Sequence, residues 1–166
     1  MKNSITLIGM PGSGKSTVGV ILAKTLNKRF IDTDLNIQNQ AGVTLQHYMD
    51  EHGVAALREL EQQVILTADL DNAVVATGGS AIYGEQAVTR LKAGSEMIYL
   101  QVDYHIMVER LGDYAQRGIA IDKDTTLEEM YEERHALYSR AADHVVDANQ
   151  PMQIVCDTIA AYASTS

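Results

Sequence analysis

Residues 9–17 read GMPGSGKST, with three glycines in the six positions before a lysine, a serine and a threonine. The apolar run SITLIG (4–9) precedes them and the helical pattern KSTVGVILAKTLN (15–27) follows. This stretch constrains the fold more than any other, because a glycine-rich turn between a buried strand and a helix has one well-defined chemical use. Its successive backbone N–H groups turn inward around an anion, and the helix that follows adds the positive end of its dipole. The spacing Gly9…Gly14-Lys15-Ser16 matches G-x-x-x-x-G-K-[ST]. In that pattern Lys15 reaches the β- and γ-phosphates and the Ser16 hydroxyl suits Mg2+, while Gly12, Ser13, Gly14 and Thr17 complete the cradle. The stretch therefore predicts a nucleoside triphosphate site with Mg2+ as its metal.

The rest of the chain repeats the strand–helix alternation. Strands are expected at 29–32, 73–77, 96–102 and 144–148, and helices at 34–40, 85–93, 104–112 and 127–142. A helical stretch at 44–69 follows the break AGVT and is itself broken at EHG, and Pro151 opens a terminal helix. Residues 113–126 show no period and carry mixed charge, which predicts a mobile surface loop. Alternation of this kind implies α/β architecture, a mostly parallel sheet covered by helices on both faces. At 166 residues, with no repeat or linker, one domain is expected.

Composition narrows the partners. Thirteen Lys and Arg stand against 22 Asp and Glu, a net charge of −9 that opposes nucleic acid and anionic membrane. No apolar run approaches the roughly 18 residues of a membrane span, and the N-terminus runs directly into a strand, so a cytoplasmic monomer is expected. The single cysteine, Cys156, excludes an internal disulfide and lies in an apolar stripe that reads as core. The five histidines lack paired ligand spacing, so no protein-bound zinc site is expected.

A triphosphate loop serves motors, switches and kinases alike. The length leaves no room for a motor's further domains, and no N-K-x-D guanine-reading motif occurs. A kinase of small molecules fits best. The stretch FIDTDL (30–35) sets Asp32 and Asp34 at the carboxyl end of the second strand, where open α/β sheets bind ligands. One carboxylate can order magnesium and the other can hold or deprotonate an acceptor hydroxyl, although Asp34 can also be read as a helix cap. Arg58 has Glu61 three residues on, a spacing that can form an ion pair. In an acidic chain, arginines such as Arg58, Arg110, Arg117 and Arg134 are natural ligands of an anionic substrate. The glycine pair of VVATGGSAIYG (74–84) suits close approach of a ligand to the main chain.

Taken in order, the phosphate loop, FIDTD, Arg58 with Glu61, ATGG, the loop arginine and ER…LY…AD resemble shikimate kinase over nearly the whole chain. The resemblance implies a five-stranded P-loop fold of the nucleoside-monophosphate-kinase type, with an acceptor-binding segment at about 33–61 and a lid at about 112–124. It implies transfer of phosphate from ATP to a hydroxyl of shikimate. It places Lys15 and Ser16 on phosphate and magnesium, Asp32 in magnesium's outer shell, and Asp34 on the acceptor hydroxyl. Arg58 and Arg134 would clamp the substrate carboxylate, with backbone contacts from Gly78 and Gly79. Arg117 would close over the transferring group, and Arg110 and Pro151 would flank adenine.

Three departures from the family pattern fall on the acceptor side. Ser80 stands where the family has a third glycine, the lid reads RGIA (117–120) in place of Arg-Pro-Leu-Leu, and Met49 and Leu57 replace phenylalanines. Ser80 is read either as a tolerated turn residue, its hydroxyl bonded to nearby backbone, or as a new contact to the acceptor. A different small hydroxy-carboxylate acceptor therefore stays open, as does a non-catalytic nucleotide-binding partner protein. A nucleoside-monophosphate acceptor fits less well, since a second nucleotide demands more positive charge than this lid carries.

Overall fold

The computed structural model of the chain describes residues 2–112 and 118–165. Five strands, β1 (Ser4–Ile8), β2 (Arg29–Asp32), β3 (Ala73–Ala76), β4 (Ser95–Gln101) and β5 (His144–Asp147), form one sheet in the order β2-β3-β1-β4-β5. Every pairing is parallel, with Leu7 opposite Ala76 on one side and Ile98 on the other. All residues of β1 and β3 are buried, so both faces of the sheet centre are covered, as a continuous apolar run in a parallel sheet requires. The edge strands β2 and β5 keep exposed residues. The expected α/β architecture is what the chain adopts.

The helices are α1 (Lys15–Thr25), α2 (Thr33–Ala41), α3 (Leu45–His52), α4 (Val54–Thr67), α5 (Glu85–Gly94), α6 (Tyr104–Leu111), α7 (Leu127–Ala141) and α8 (Met152–Thr165). Local chemistry sets their limits. Thr44 caps α3 by accepting the His47 N–H at 3.2 Å. Gly53, at φ 88°, both closes α3 and opens α4, which accounts for the break at EHG. Thr126 and Glu129 form a reciprocal capping box at the start of α7. Pro151 stands one residue ahead of α8 rather than inside its first turn, and its carbonyl accepts from Ile154 and Val155. The short 3-10 turn at Ala81–Tyr83 has no counterpart in the sequence reading.

The core divides in two. The larger cluster lies about the sheet and includes Leu7, Leu22, Ile98, Met130 and the buried Cys156, which packs there as expected. A smaller cluster joins Ile37, Met49, Leu57, Val64 and Ala120. It lies beside the main sheet, between α2, α3 and α4, and residue 120 belongs to the stretch read as a surface loop. That reading fails at Ile119 and Ala120, both buried: Ile119 packs into the larger cluster and Ala120 into the smaller, since apolar side chains beside a core gain more from burial than from solvent. Residues 113–117 of the same stretch lie outside the described residues.

Candidate functional site

The switch in strand order about β1 opens a crevice at the carboxyl ends of the strands, where ligands of open α/β sheets collect. The phosphate loop leaves β1 at that point. Gly14 is the N-cap of α1, at φ 95°, a left-handed conformation that glycine adopts without strain. It supplies no capping side chain, so the leading N–H groups of α1 are directed at whatever anion lies in the loop. Lys15 is 8% exposed and folds back on the loop, donating to the carbonyls of Gly9 at 2.8 Å and Met10 at 2.7 Å. Burial pulls its ammonium down to about 8, opposed chiefly by the Asp34 carboxylate.

The two aspartates at the end of β2 divide their tasks. Asp32 is the N-cap of α2, its Oδ1 accepting from the Asp34 N–H at 3.0 Å, while its Oδ2 accepts from the Ser16 hydroxyl at 2.8 Å. The capping alternative therefore belongs to Asp32, and the Asp34 side chain is free to face the crevice. Burial, then the neighbouring Asp32 charge, raise the Asp34 carboxyl to about 6, with Lys15 working against them. Thr33, fully buried between them, donates to the Ala76 carbonyl and accepts the Gly78 N–H at 3.1 Å. It thereby ties the start of α2 to the glycine pair.

The glycine pair is a wall with no room for side chains. A Cβ on Gly78 would lie 2.5 Å from Glu61 Oε1 and 2.6 Å from Asp34 Oδ1. On Gly79 it would lie 2.9 Å from an Arg134 Nη and 3.1 Å from the Pro11 ring. Two carboxyls and a guanidinium press on this backbone, which any larger residue would displace.

Glu61 and Arg58 do not pair with one another. Glu61 is 3% exposed and its Oε2 accepts from the Ser80 hydroxyl at 2.6 Å. Arg58 instead meets Asp122 at 3.3 Å and the Ala120 carbonyl at 3.4 Å, with its guanidinium 4.2 Å above the Tyr83 ring. Spacing along one helix permits the Arg58–Glu61 pair, but the turn after β3 and the stretch 118–122 bring closer partners to each. Neither reading of Ser80 anticipated this carboxylate: the hydroxyl bonds to a side chain and not to nearby backbone. Burial drives the Glu61 carboxyl up to about 7, against the Ser80 hydrogen bond that favours its charged form.

Arg134 is 1% exposed and donates to the same Ala120 carbonyl, and its guanidinium lies 5.5 Å from the Tyr83 ring. The Tyr138 hydroxyl donates to the Gly79 carbonyl and that of Tyr131 to the Val102 carbonyl, so both tyrosines pack with their polar ends satisfied. Among the described residues three buried side-chain atoms lack a hydrogen-bond partner: Arg58 Nε, Arg134 Nε and Glu61 Oε1.

These groups meet at one cleft of about 370 Å3, lined by Gly14, Lys15, Asp34, Glu61, Gly79 and Arg134 among others. Gly12, Ser16, Thr17, Gly78, Ser80 and Leu57 also face it. Arg58 does not; its head lies at an outer groove with Tyr83 and Gln62. Met49 is buried in the smaller core rather than on the cleft. A second hollow on the far side of the loop is lined by Ser13, Arg110, Asn149 and Pro151. Arg110 is fixed there by bonds to the Gly12 and Ala148 carbonyls, each 3.3 Å. Arg117 lies outside the described residues. The sequence reading passed over Thr33, Tyr83 and Ala120, and it gave Glu61 only an ion-pair partner. A glutamate facing the apolar stripe of α4 was a signal for Glu61; Ala120 left none, since only its main chain takes part.

A family model described as shikimate kinase matches residues 11–163. The shikimate kinase of Microcystis aeruginosa is 38% identical over 92% of this chain and 82% of its own length. Shikimate kinase 2 of an Enterobacter species is 36% identical over 97% of this chain and 96% of its own. Among solved structures, shikimate kinase from Acinetobacter baumannii in complex with shikimate superposes with a TM-score of 0.89 at 26% identity, covering 99% of this chain and 94% of that one. With the phosphate loop, Asp34 and the glycine wall gathered at one cleft, the chain belongs to the shikimate kinase family.

Proposed function

We propose that the chain transfers the γ-phosphoryl group of ATP to a hydroxyl of shikimate. The observation that carries this reading is the continuity of the cleft, in which the triphosphate loop, the half-buried Asp34 and the buried Arg134 share one space. The family provides the kinase activity, and the acceptor follows from the relatives' substrate and from a cleft that offers a carboxyl for a hydroxyl and a guanidinium for a carboxylate.

The residue roles follow from chemistry. The loop N–H groups and the start of α1 bind the phosphates, with Lys15 moving from its loop carbonyls to the γ-phosphate oxygens. The hard oxygens of Ser16 and Asp32, 2.8 Å apart, fit Mg2+, which takes few protein ligands and keeps its waters and phosphate oxygens. When bound, the ion neutralises charge on the phosphates. Asp34, raised toward neutrality, holds the acceptor hydroxyl and accepts its proton as the oxygen attacks. Arg134 anchors the substrate carboxylate, joined by Arg58 once that side chain leaves Asp122, while Gly78 and Gly79 let the ring approach the backbone. Arg110 and Pro151 border the base. Arg117 remains the candidate cation over the transferring group. In this scheme residues 33–61 bind the acceptor and residues 112–124 close over it, excluding water.

A coupled assay of ADP release from Mg·ATP tests the reading, run with shikimate, with other hydroxy-carboxylates and without acceptor. Shikimate-dependent turnover is expected; acceptor-independent hydrolysis alone would sink it.

A further inference from the structure

Glu61 is a buried carboxyl with two differently placed oxygens. One is held by the Ser80 hydroxyl at 2.6 Å, and the other has no partner among the described residues. That free oxygen and Asp34 Oδ1 both lie within 2.6 Å of the point where a Gly78 side chain would begin, and both residues line the cleft. The carboxyl end of the sheet therefore presents two carboxyl oxygens side by side over one glycine. Leaving such an oxygen unpaired is costly, and a ligand hydroxyl repays that cost.

Ser80 holds this arrangement in place. A glycine there has no side-chain donor, and although the spacing along α4 permits Glu61 to pair with Arg58, Arg58 is engaged by Asp122 and the Ala120 carbonyl. The other charged groups acting on Glu61 are Asp34 from α2, Lys15 from α1 and Arg134 from α7. The two cations favour its ionised, accepting form and Asp34 opposes it.

Resting on the shikimate reading above, we propose that Ser80 is a specificity-determining positioning residue. By fixing the Glu61 carboxyl it directs Oε1 at a second acceptor hydroxyl next to the one held by Asp34, so the cleft selects a vicinal diol. Glu61 would be the binding group and Ser80 acts through it. Discrimination against an acceptor lacking the neighbouring hydroxyl then comes from a buried acceptor left without its donor.

The test compares shikimate with its 4-deoxy and 5-deoxy analogues in the unmodified protein, Ser80→Ala and Glu61→Gln. Shikimate is expected to exceed the 4-deoxy analogue, which lacks the hydroxyl beside position 3, by about 100-fold in kcat/KM, the cost of leaving one buried acceptor unpaired. The 5-deoxy analogue should be penalised far less. Ser80→Ala should raise the KM for shikimate about tenfold with kcat and the KM for ATP nearly unchanged, and should shrink the 4-deoxy discrimination by a similar factor. Glu61→Gln, close in shape, should shrink it further; its affinity for ATP reports whether it is folded. Unaltered discrimination in both variants, with normal ATP affinity, overturns the proposal and leaves the shikimate reading intact. Absence of shikimate turnover in the unmodified protein overturns that reading and the proposal with it.

Discussion

The phosphate half and the acceptor half of the cleft are built on different principles. Around the loop, the polar groups satisfy one another: Lys15 bonds to carbonyls five and six residues back, and the Ser16 hydroxyl donates to Asp32 at the end of β2. On the acceptor side, side chains from α2, α4, α7 and the turn after β3 converge, and two of the three unpartnered buried atoms among the described residues, Glu61 Oε1 and Arg134 Nε, belong to residues that line it. A site for a common ligand can be encoded in one short stretch whose backbone does the binding. A site for a particular polyol acid needs side-chain donors and acceptors in three dimensions, left unpaired until the ligand arrives, at a cost in stability.

The largest expected effect lies in the phosphate half. Lys15→Ala should lower turnover by about three orders of magnitude or more in the coupled assay, since positioned charge is the main source of catalysis in phosphoryl transfer. Near-normal activity would break the assignment of the loop. Asp34→Asn comes next, with kcat reduced about 100- to 1,000-fold and the KM for ATP little changed. In the unmodified protein kcat/KM for the acceptor should rise with pH and level off above a midpoint close to the Asp34 value of about 6. A flat profile from pH 5 to 8 would argue against Asp34 as the base.

Arg134→Lys distinguishes the halves most cleanly. A lysine keeps the charge but lacks the planar fork, so the KM for shikimate should rise about 10- to 100-fold while ATP affinity holds. A matching loss of ATP affinity would show that the two halves are not separable.

The titration of Glu61 gives a stability effect. Its folded value of about 7 lies above the ordinary 4.5, so between these limits the native state holds a proton that the unfolded chain has released. Stability from this group is therefore lost as pH rises through that window. Glu61→Gln should melt at a higher temperature than the unmodified protein at pH 8 and show no such gain near pH 4.5. The smallest effect is expected at the partly exposed Arg58–Asp122 pair, where Asp122→Asn should change stability by less than about 1 kcal/mol. A larger loss on thermal or denaturant melting would mean that this pair anchors the 118–122 stretch.

What the sequence determined by itself is local. Strand–helix alternation implied the parallel sheet, and the nine residues 9–17 implied the triphosphate site, because glycine conformations and the helix end that bind phosphate arise between near neighbours in the chain. Asp32 and Asp34 were legible for the same reason, although only the fold decided which of them caps α2. The partners of Glu61, Arg58 and Ser80 were decided by the tertiary structure. The Ser80–Glu61 contact spans 19 residues and the Arg58–Asp122 contact 64. Helical spacing favours the near partner by only a few tenths of a kcal/mol. Packing against the smaller core outweighs that preference, which is why the acceptor half had to be seen folded before its chemistry could be assigned.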